Sequence, residues 1–212
     1  MLQLLFPPKC VLCKKLLSKN ETDLCHHCRE NAPLFKRAER NIPFVAQWTA
    51  LWYYKDDVRS SLHRFKFSGR RNYAVIYARL LGLKLQDSLP ETIDMLTWVP
   101  VSGLRRFKRG YDQSALLAQA LHKELSLPIS RLLRKARHTP PQSGLTDAAH
   151  RRANVFGAYK VVRPERVRGK TILLIDDIVT TGATASECAK TLMAAGAKQV
   201  LFAAVAAANN EK

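Results

Sequence analysis

The sequence predicts an α/β protein, with a parallel sheet covered by helices on both faces and a small N-terminal zinc module built on four cysteines. Two observations carry that prediction. Unbroken apolar runs, "MLTWVPV" (95–101), "KTILLID" (170–176) and "QVLFAAVAA" (199–207), alternate with segments of helical periodicity. Strands without polar alternation are those buried on both faces, as in parallel sheets. Ahead of them stand two C-x2-C pairs, Cys10 with Cys13 and Cys25 with Cys28, with eleven residues between them. Thiolates at that spacing suit a tetrahedral Zn2+ with Zn–S distances of about 2.3 Å. Disulfides or a redox C-x-x-C motif are the alternatives. A reducing compartment argues against the first, and the closeness of the two pairs against the second. His26 and His27 lie inside the second knuckle as substitute ligands, although the cysteines already complete the shell.

The elements follow in order. Residues 1–43 read as the zinc module, too poor in apolar residues to fold without metal, with "NAPLFKRAERNIP" (31–43) as a linker. Loss of one zinc ligand is therefore expected to unfold this module and to leave most of the sheet intact. Residues 44–212 read as the α/β domain. "AQWTALWYY" (46–54) is an aromatic-rich strand. Val58, Leu62 and Phe65 recur at i, i+4, i+7, on one face of a helix that stops near Gly69. A second helix covers 72–86, a buried strand 95–101, a helix 113–125, another buried strand 170–176, and a helix 183–195 that Gly196 ends before the last strand. Cys188, alone in its helix, reads as a buried apolar filler.

Charge and apolar runs narrow the function classes. The chain has 35 Lys and Arg against 17 Asp and Glu, a net charge of +18 over 212 residues. That excess points to a polyanionic partner such as nucleic acid, a phosphorylated metabolite or an anionic surface, with a generally basic protein as the plain alternative. "MLQLLFPP" is short, lacks a basic flank and breaks at Pro7 and Pro8, so it does not read as a signal peptide. "VLFAAVAAA" (200–208) is about half the length that spans a bilayer. A cytoplasmic location is expected.

The stretch "TILLIDDIVTTGATASE" (171–187) carries the chemistry. Ligands of open parallel sheets bind beyond the carboxyl ends of the strands, and Asp176 and Asp177 are expected at that end. The turn of Thr180, Thr181, Gly182, Ala183 and Thr184 leads into a helix. Its backbone N–H groups and the helix dipole form an anion cradle, with the threonine hydroxyls as further donors. Gly182 is expected where a side chain would block a phosphate. Carboxylates next to the cradle would accept hydrogen bonds from vicinal hydroxyls, and a phosphate next to a diol describes a ribose 5-phosphate. Solvated strand-end acids followed by an ordinary helix cap are the alternative.

This stretch resembles the phosphoribosyl diphosphate (PRPP) motif of type I phosphoribosyltransferases: apolar strand, two acids, T-T-G-x-T. The double knuckle, "LHRFKFSGRR", "VPVSGLRRFKRGYDQSALLAQAL", "RKARHTPPQSGL" and "RRANVFGAY", taken with that loop, are similar in kind and order to the ComF (GntX-like) proteins of bacterial competence over nearly the whole chain. The resemblance implies a type I phosphoribosyltransferase-like fold with a zinc finger, linked to handling incoming single-stranded DNA during natural transformation. It further implies that Asp176 and Asp177 contact the ribose hydroxyls, that residues 180–184 hold the 5-phosphate, and that Mg2+ is held chiefly by PRPP itself. The C-terminal "AAANNEK" departs from the family's usual Ala-Arg and puts a terminal contact in doubt.

Other segments have readings of their own. Val101, Ser102, Gly103 and Leu104 follow a buried strand, where these enzymes bind pyrophosphate, and Arg105, Arg106, Lys108 and Arg109 surround that turn; a solvated basic loop is the alternative. "RKARHTPPQSGLTDAAHRR" (134–152) reads as a lid carrying Arg134, Lys135 and Arg137 over the diphosphate, or else as a linker. Lys66 beside Phe65 and Phe67 pairs base stacking with phosphate contact, unless Phe65 belongs to the core. A path from Lys66, Arg70 and Arg71 to Arg105, Arg106, Lys108 and Arg109 would bind single-stranded DNA, with Lys9, Lys14, Lys15 and Lys19 of the zinc module as the other location. Three functions stay open: a PRPP-binding, DNA-handling protein with little transferase activity; an active transferase on an unknown nitrogen nucleophile; and a scaffold whose zinc module docks a helicase or translocation partner.

Overall fold

The structure, a computed structural model, describes residues 7–36, 41–88, 92–137 and 153–208. The strands β1 (Gln47–Tyr53), β2 (Met95–Trp98), β5 (Thr171–Val179) and β6 (Gln199–Ala207) form one parallel sheet in the order β1-β6-β5-β2. A separate antiparallel ribbon pairs β3 (Leu133–Lys135) with β4 (Tyr159–Val161). The helices are α1 (His26–Asn31), α2 (Asp56–Phe67), α3 (Tyr73–Ser88), α4 (Gly103–Arg109), α5 (Gln113–Leu125) and α6 (Ala183–Ala194). Among the described residues no helix is long and apolar enough to cross a membrane.

Strand alternation sorts the apolar run of β5 into two cores. Leu173 and Ile175 join Leu201, Ala203 and Val205 of β6 against α2, α3 and α5. Ile172 and Leu174 join Val200, Phe202 and Ala204 against α6 and the ribbon, with Cys188 fully buried among them. With both faces covered, no position on these strands favours a polar residue, which is why the sequence shows no alternation.

The double knuckle is not a separate bead. Cys10, Val11, Leu12, Leu24, Cys25 and Cys28 lie in the same core as Leu62 and Phe65 of α2 and Tyr77 and Leu81 of α3. The Val11 carbonyl accepts hydrogen bonds from Ser61 Oγ and, at 3.0 Å, from Arg64 Nη2, and Arg79 pairs with Asp23 at 2.8 Å. The stretch read as a linker also has structure: Phe35 N–H donates to Leu51 C=O at 2.9 Å and Tyr53 N–H to Pro33 C=O at 2.7 Å, bordering β1. Positions 37–40 of it lie outside the described residues.

Candidate functional site

Strand lengths place the two acids. The β2–β5 ladder stops at Trp98↔Ile175; Val99 N–H still donates to Ile175 C=O at 2.9 Å, but the next N–H on that side, Val101's, goes to Asp112 Oδ2 at 3.2 Å. The β5–β6 ladder runs on to Val179↔Ala207. Asp176 and Asp177 therefore lie within β5, short of the strand end at which the sequence set them, on the part that overruns β2. Regular alternation breaks here: Ile178 packs with Leu173 and Ile175, and Val179 with Ile172 and Leu174.

Asp177 is buried and pairs with Lys66 Nζ of α2 at 3.0 Å. Lys66 is thus turned to the carboxylate and not outward with Arg70 and Arg71, which are exposed. Asp176 Oδ1 accepts from Ser114 Oγ at 2.7 Å and from the Asp177 N–H at 2.8 Å. Burial, followed by the neighbouring Asp177 carboxylate, pushes the Asp176 carboxyl up to about 7. Its native pKa lies above the ordinary value of about 3.9, so the folded state binds the extra proton. The stability this contributes is full below about pH 4 and is lost as pH rises through about 7. Asp176→Asn should raise the melting temperature at pH 8 and leave it nearly unchanged at pH 4. Calorimetric melts at both pH values check this, and equal shifts at the two would remove burial of charge as the cause.

Beyond Val179 the chain turns into α6. Gly182, at φ +78°, is the residue before the helix, and Thr181 Oγ1 accepts from the Ala183 N–H at 3.4 Å. Asp176, Thr180, Gly182, Ala183 and Thr184 line a cavity of about 20 Å³, enough for a single water-sized group, so anything larger must sit at its open mouth. A Cβ on Gly182 would stand 2.9 Å from Ile42 Cγ1. The glycine is therefore required by its left-handed backbone and by Ile42, a contact not legible in the sequence.

The segment expected to be a pyrophosphate turn is largely helix. Ser102 caps α4, its Oγ accepting from the Arg105 N–H at 3.4 Å, and Gly110 at φ +75° ends it. Gly103 is exposed at its first position. The Val101 N–H is taken by Asp112 Oδ2 at 3.2 Å, while Asp112 Oδ1 caps α5 through the Ala115 N–H at 3.1 Å. Arg105 is half-buried, whereas Arg106 and Lys108 are exposed. Arg109 donates to Gln113 Oε1 at 2.9 Å, and Arg71 lies 4.9 Å over the Tyr111 ring. Phe65 is buried in the core, which settles it against stacking, while Phe67 stays exposed.

Of the expected lid residues, Arg134 is exposed on β3 opposite Lys160. Lys135 lies 5.4 Å over the Tyr159 ring, its ammonium pushed down to about 8 by burial and then by Arg105. Arg137 donates to the carbonyls of Asn154 at 3.3 Å and Phe156 at 2.8 Å, which ties it to the chain rather than freeing it for a ligand. Positions 138–152 lie outside the described residues. Ser114, Asp112 and Ile42 are site residues that the sequence reading missed. Asp112 before a helix had a cap signature; Ser114 meets Asp176 from 62 positions away and had none.

At the other pole, the Sγ atoms of Cys10, Cys13, Cys25 and Cys28 all lie within 4.8 Å of one another. Cys13 and Cys25 Sγ are 3.7 Å apart, against about 3.8 Å for the edge of a tetrahedron built on Zn–S bonds of about 2.3 Å. All are free thiols, so the disulfide alternative falls. His26 pairs with Glu30 at 3.1 Å and His27 approaches Asn31, so neither histidine points at the cluster. The residues fit a structural zinc.

A parallel sheet with acids and a helix entry at its carboxyl edge, joined to a cluster of four cysteines, defines a phosphoribosyltransferase-fold protein with a zinc ribbon. Residues 112–212 match the phosphoribosyl transferase domain family and residues 1–38 the double zinc ribbon domain. The chain is 30% identical to the DNA utilization protein YhgH of Escherichia coli O157:H7, covering 90% of this chain and 86% of that one, and 28% identical to competence protein F of Haemophilus influenzae, covering 91% and 93%. It belongs to this ComF family of competence and DNA utilization proteins. Among solved structures, it matches the glutamine PRPP amidotransferase of B. subtilis with a TM-score of 0.40 and 25% identity, over 64% of this chain and 25% of that one.

Proposed function

We propose that the Asp176–Thr184 edge binds PRPP and that the protein handles single-stranded DNA during DNA uptake, with little transferase activity. The observation that supports it best is the pair of acids on the overrun of β5, set directly beside the entry to the twelve-residue α6. Carboxylates there accept from ribose hydroxyls, while the turn of residues 180–184, with its backbone N–H groups and threonine hydroxyls, and the helix dipole take the 5-phosphate. Mg2+ would travel with the ligand, held chiefly by its diphosphate oxygens. Pyrophosphate would lie against Ser102, Gly103 and Arg105, and Lys135 would approach from the ribbon.

One contact favours binding over turnover. Asp112 stands at the proposed pyrophosphate end and already occupies the Val101 N–H. Burial pushes the Asp112 carboxyl above the usual range, and both its oxygens act as acceptors, whereas good catalysts aim donors at the charge that grows on a departing pyrophosphate. Transfer to a nitrogen nucleophile remains the second reading, and release of labelled pyrophosphate would reveal it.

Titration calorimetry with PRPP and Mg2+ tests the binding. Asp176→Ala combined with Asp177→Ala should abolish the heat of binding while the far-UV circular dichroism is unchanged, since Lys66 is partly exposed and reaches water once its partner is gone. Unchanged affinity in the double variant would refute the assignment.

A further inference from the structure

We infer that α4 and the end of α2 form a base-stacking platform for single-stranded DNA, with the Phe107 ring and the Arg109 guanidinium stacked on Phe67 as its two surfaces. This rests on the DNA-handling reading above and names the part of the strand that is recognised. Helix α4 buries none of its residues, and Phe107 is 87% exposed. A fully exposed phenylalanine on a short helix contributes nothing to the core and exposes apolar surface that folding would otherwise remove from water.

The second surface is preassembled. Phe67 is 59% exposed at the C-terminal end of α2. Its ring lies 4.7 Å from His63, and the Arg109 guanidinium covers it at 4.9 Å. Arg109 is in turn fixed by Gln113 Oε1 at 2.9 Å. A guanidinium fixed over an aromatic ring offers a planar cation on which a nucleobase can stack. Phe107 and Arg109 are two positions apart on one helix, so their Cα atoms are about 5.5 Å apart. Their side chains leave the helix about 200° apart around its axis, so a strand meets both by passing over α4, which buries none of its residues.

Charge complementarity identifies the occupant. Arg106 and Lys108 are exposed on the same helix, and Arg70 is exposed just beyond Phe67. Cations alternating with aromatic faces match a strand that alternates phosphates with bases, and stacking needs no particular base because every base has a π-face. Paired bases in a duplex do not offer those faces. The exposed aromatic surface thus selects single strands, while the charge alone would not.

The test uses a short oligothymidylate, the same oligonucleotide with abasic sites, and the wild-type protein, Phe107→Ala and Phe107→Trp, each titrated over a range of salt. Phe107→Ala should weaken oligothymidylate binding roughly 5- to 150-fold, the effect of one lost stacked base. The slope of log K against log salt, about −0.7 per neutralised phosphate, should stay the same because no phosphate contact is removed. Phe107→Trp should restore the affinity, and the abasic strand should bind wild type and Phe107→Ala alike. If wild type binds the oligothymidylate but Phe107→Ala binds it equally well, or if the abasic strand binds as tightly as the intact one, the platform is wrong while DNA binding stands. No salt-sensitive binding by wild type would remove the DNA reading itself.

Discussion

Cys25→Ser is expected to release zinc and to loosen far more of the protein than its first forty residues. Structural zinc sites carry apparent binding free energies of about 10–16 kcal/mol, as large as the whole stability of a domain, about 5–15 kcal/mol. The sequence alone confines the damage to the module. Packing extends it: Val11 and Leu12 are buried to within 1% exposure against Leu62, Phe65, Tyr77 and Leu81, and the Val11 carbonyl holds Ser61 and Arg64 of α2. When the knuckle opens, these partners face water and two donors on α2 lose their acceptor. The α6 side of the sheet has its own core and should persist. The expected result is under one zinc per chain by elemental analysis, a large drop in melting temperature, and fast amide exchange in α2 and α3 with slow exchange kept in β5, β6 and α6. Exchange in α2 and α3 as slow as in wild type would mean that the module folds and unfolds independently. Well under one zinc in wild type purified without chelator would exclude the metal altogether.

The parts of this fold that were legible in the sequence are those set by local pattern. The β6 and α5 boundaries follow from an unbroken apolar run and from 3.6-residue periodicity, and both are found where expected, at Gln199–Ala207 and Gln113–Leu125. The cysteine cluster was legible because knuckle spacing reports geometry directly. Strand β5 was misjudged at its end for a physical reason. An aspartate pair reads as the end of a strand, yet β5 continues to Val179 because β6 still pairs with it after β2 has stopped. Helix α4 is not legible because "GLRRFKR" has no apolar stripe; it buries none of its residues, and its Ser102 and Gly110 caps define it instead. The partners of the acids, Lys66 and Ser114, come from helices distant in sequence, and no local signal encodes which cation or hydroxyl will meet which carboxylate.

Gly182→Ala is the single substitution at the proposed ligand-binding edge with the largest expected cost. The residue holds φ +78°, a left-handed conformation that costs an L side chain about 1–2 kcal/mol. The new Cβ would also lie 2.9 Å from Ile42 Cγ1. Ile42 is 2% exposed and packed in the α6-side core, so it has little room to retreat; overpacking of this kind costs about 1–3 kcal/mol more. The total, roughly 2–5 kcal/mol, is a large part of a domain's stability. A double-variant cycle separates the two causes. Ile42→Ala alone leaves a cavity and should cost about 2–5 kcal/mol. In the Gly182→Ala background that cavity accepts the added methyl, so the pair should cost clearly less than the sum of the singles. Strict additivity in denaturant melts would show that Ile42 is not the obstacle and that the backbone angle alone demands glycine. PRPP affinity completes the argument. If the methyl only displaces Ile42 and the loop with it, the double variant should regain binding that Gly182→Ala loses. If the methyl stands where the phosphate must come, binding stays lost in both, and the glycine serves the ligand as well as the fold.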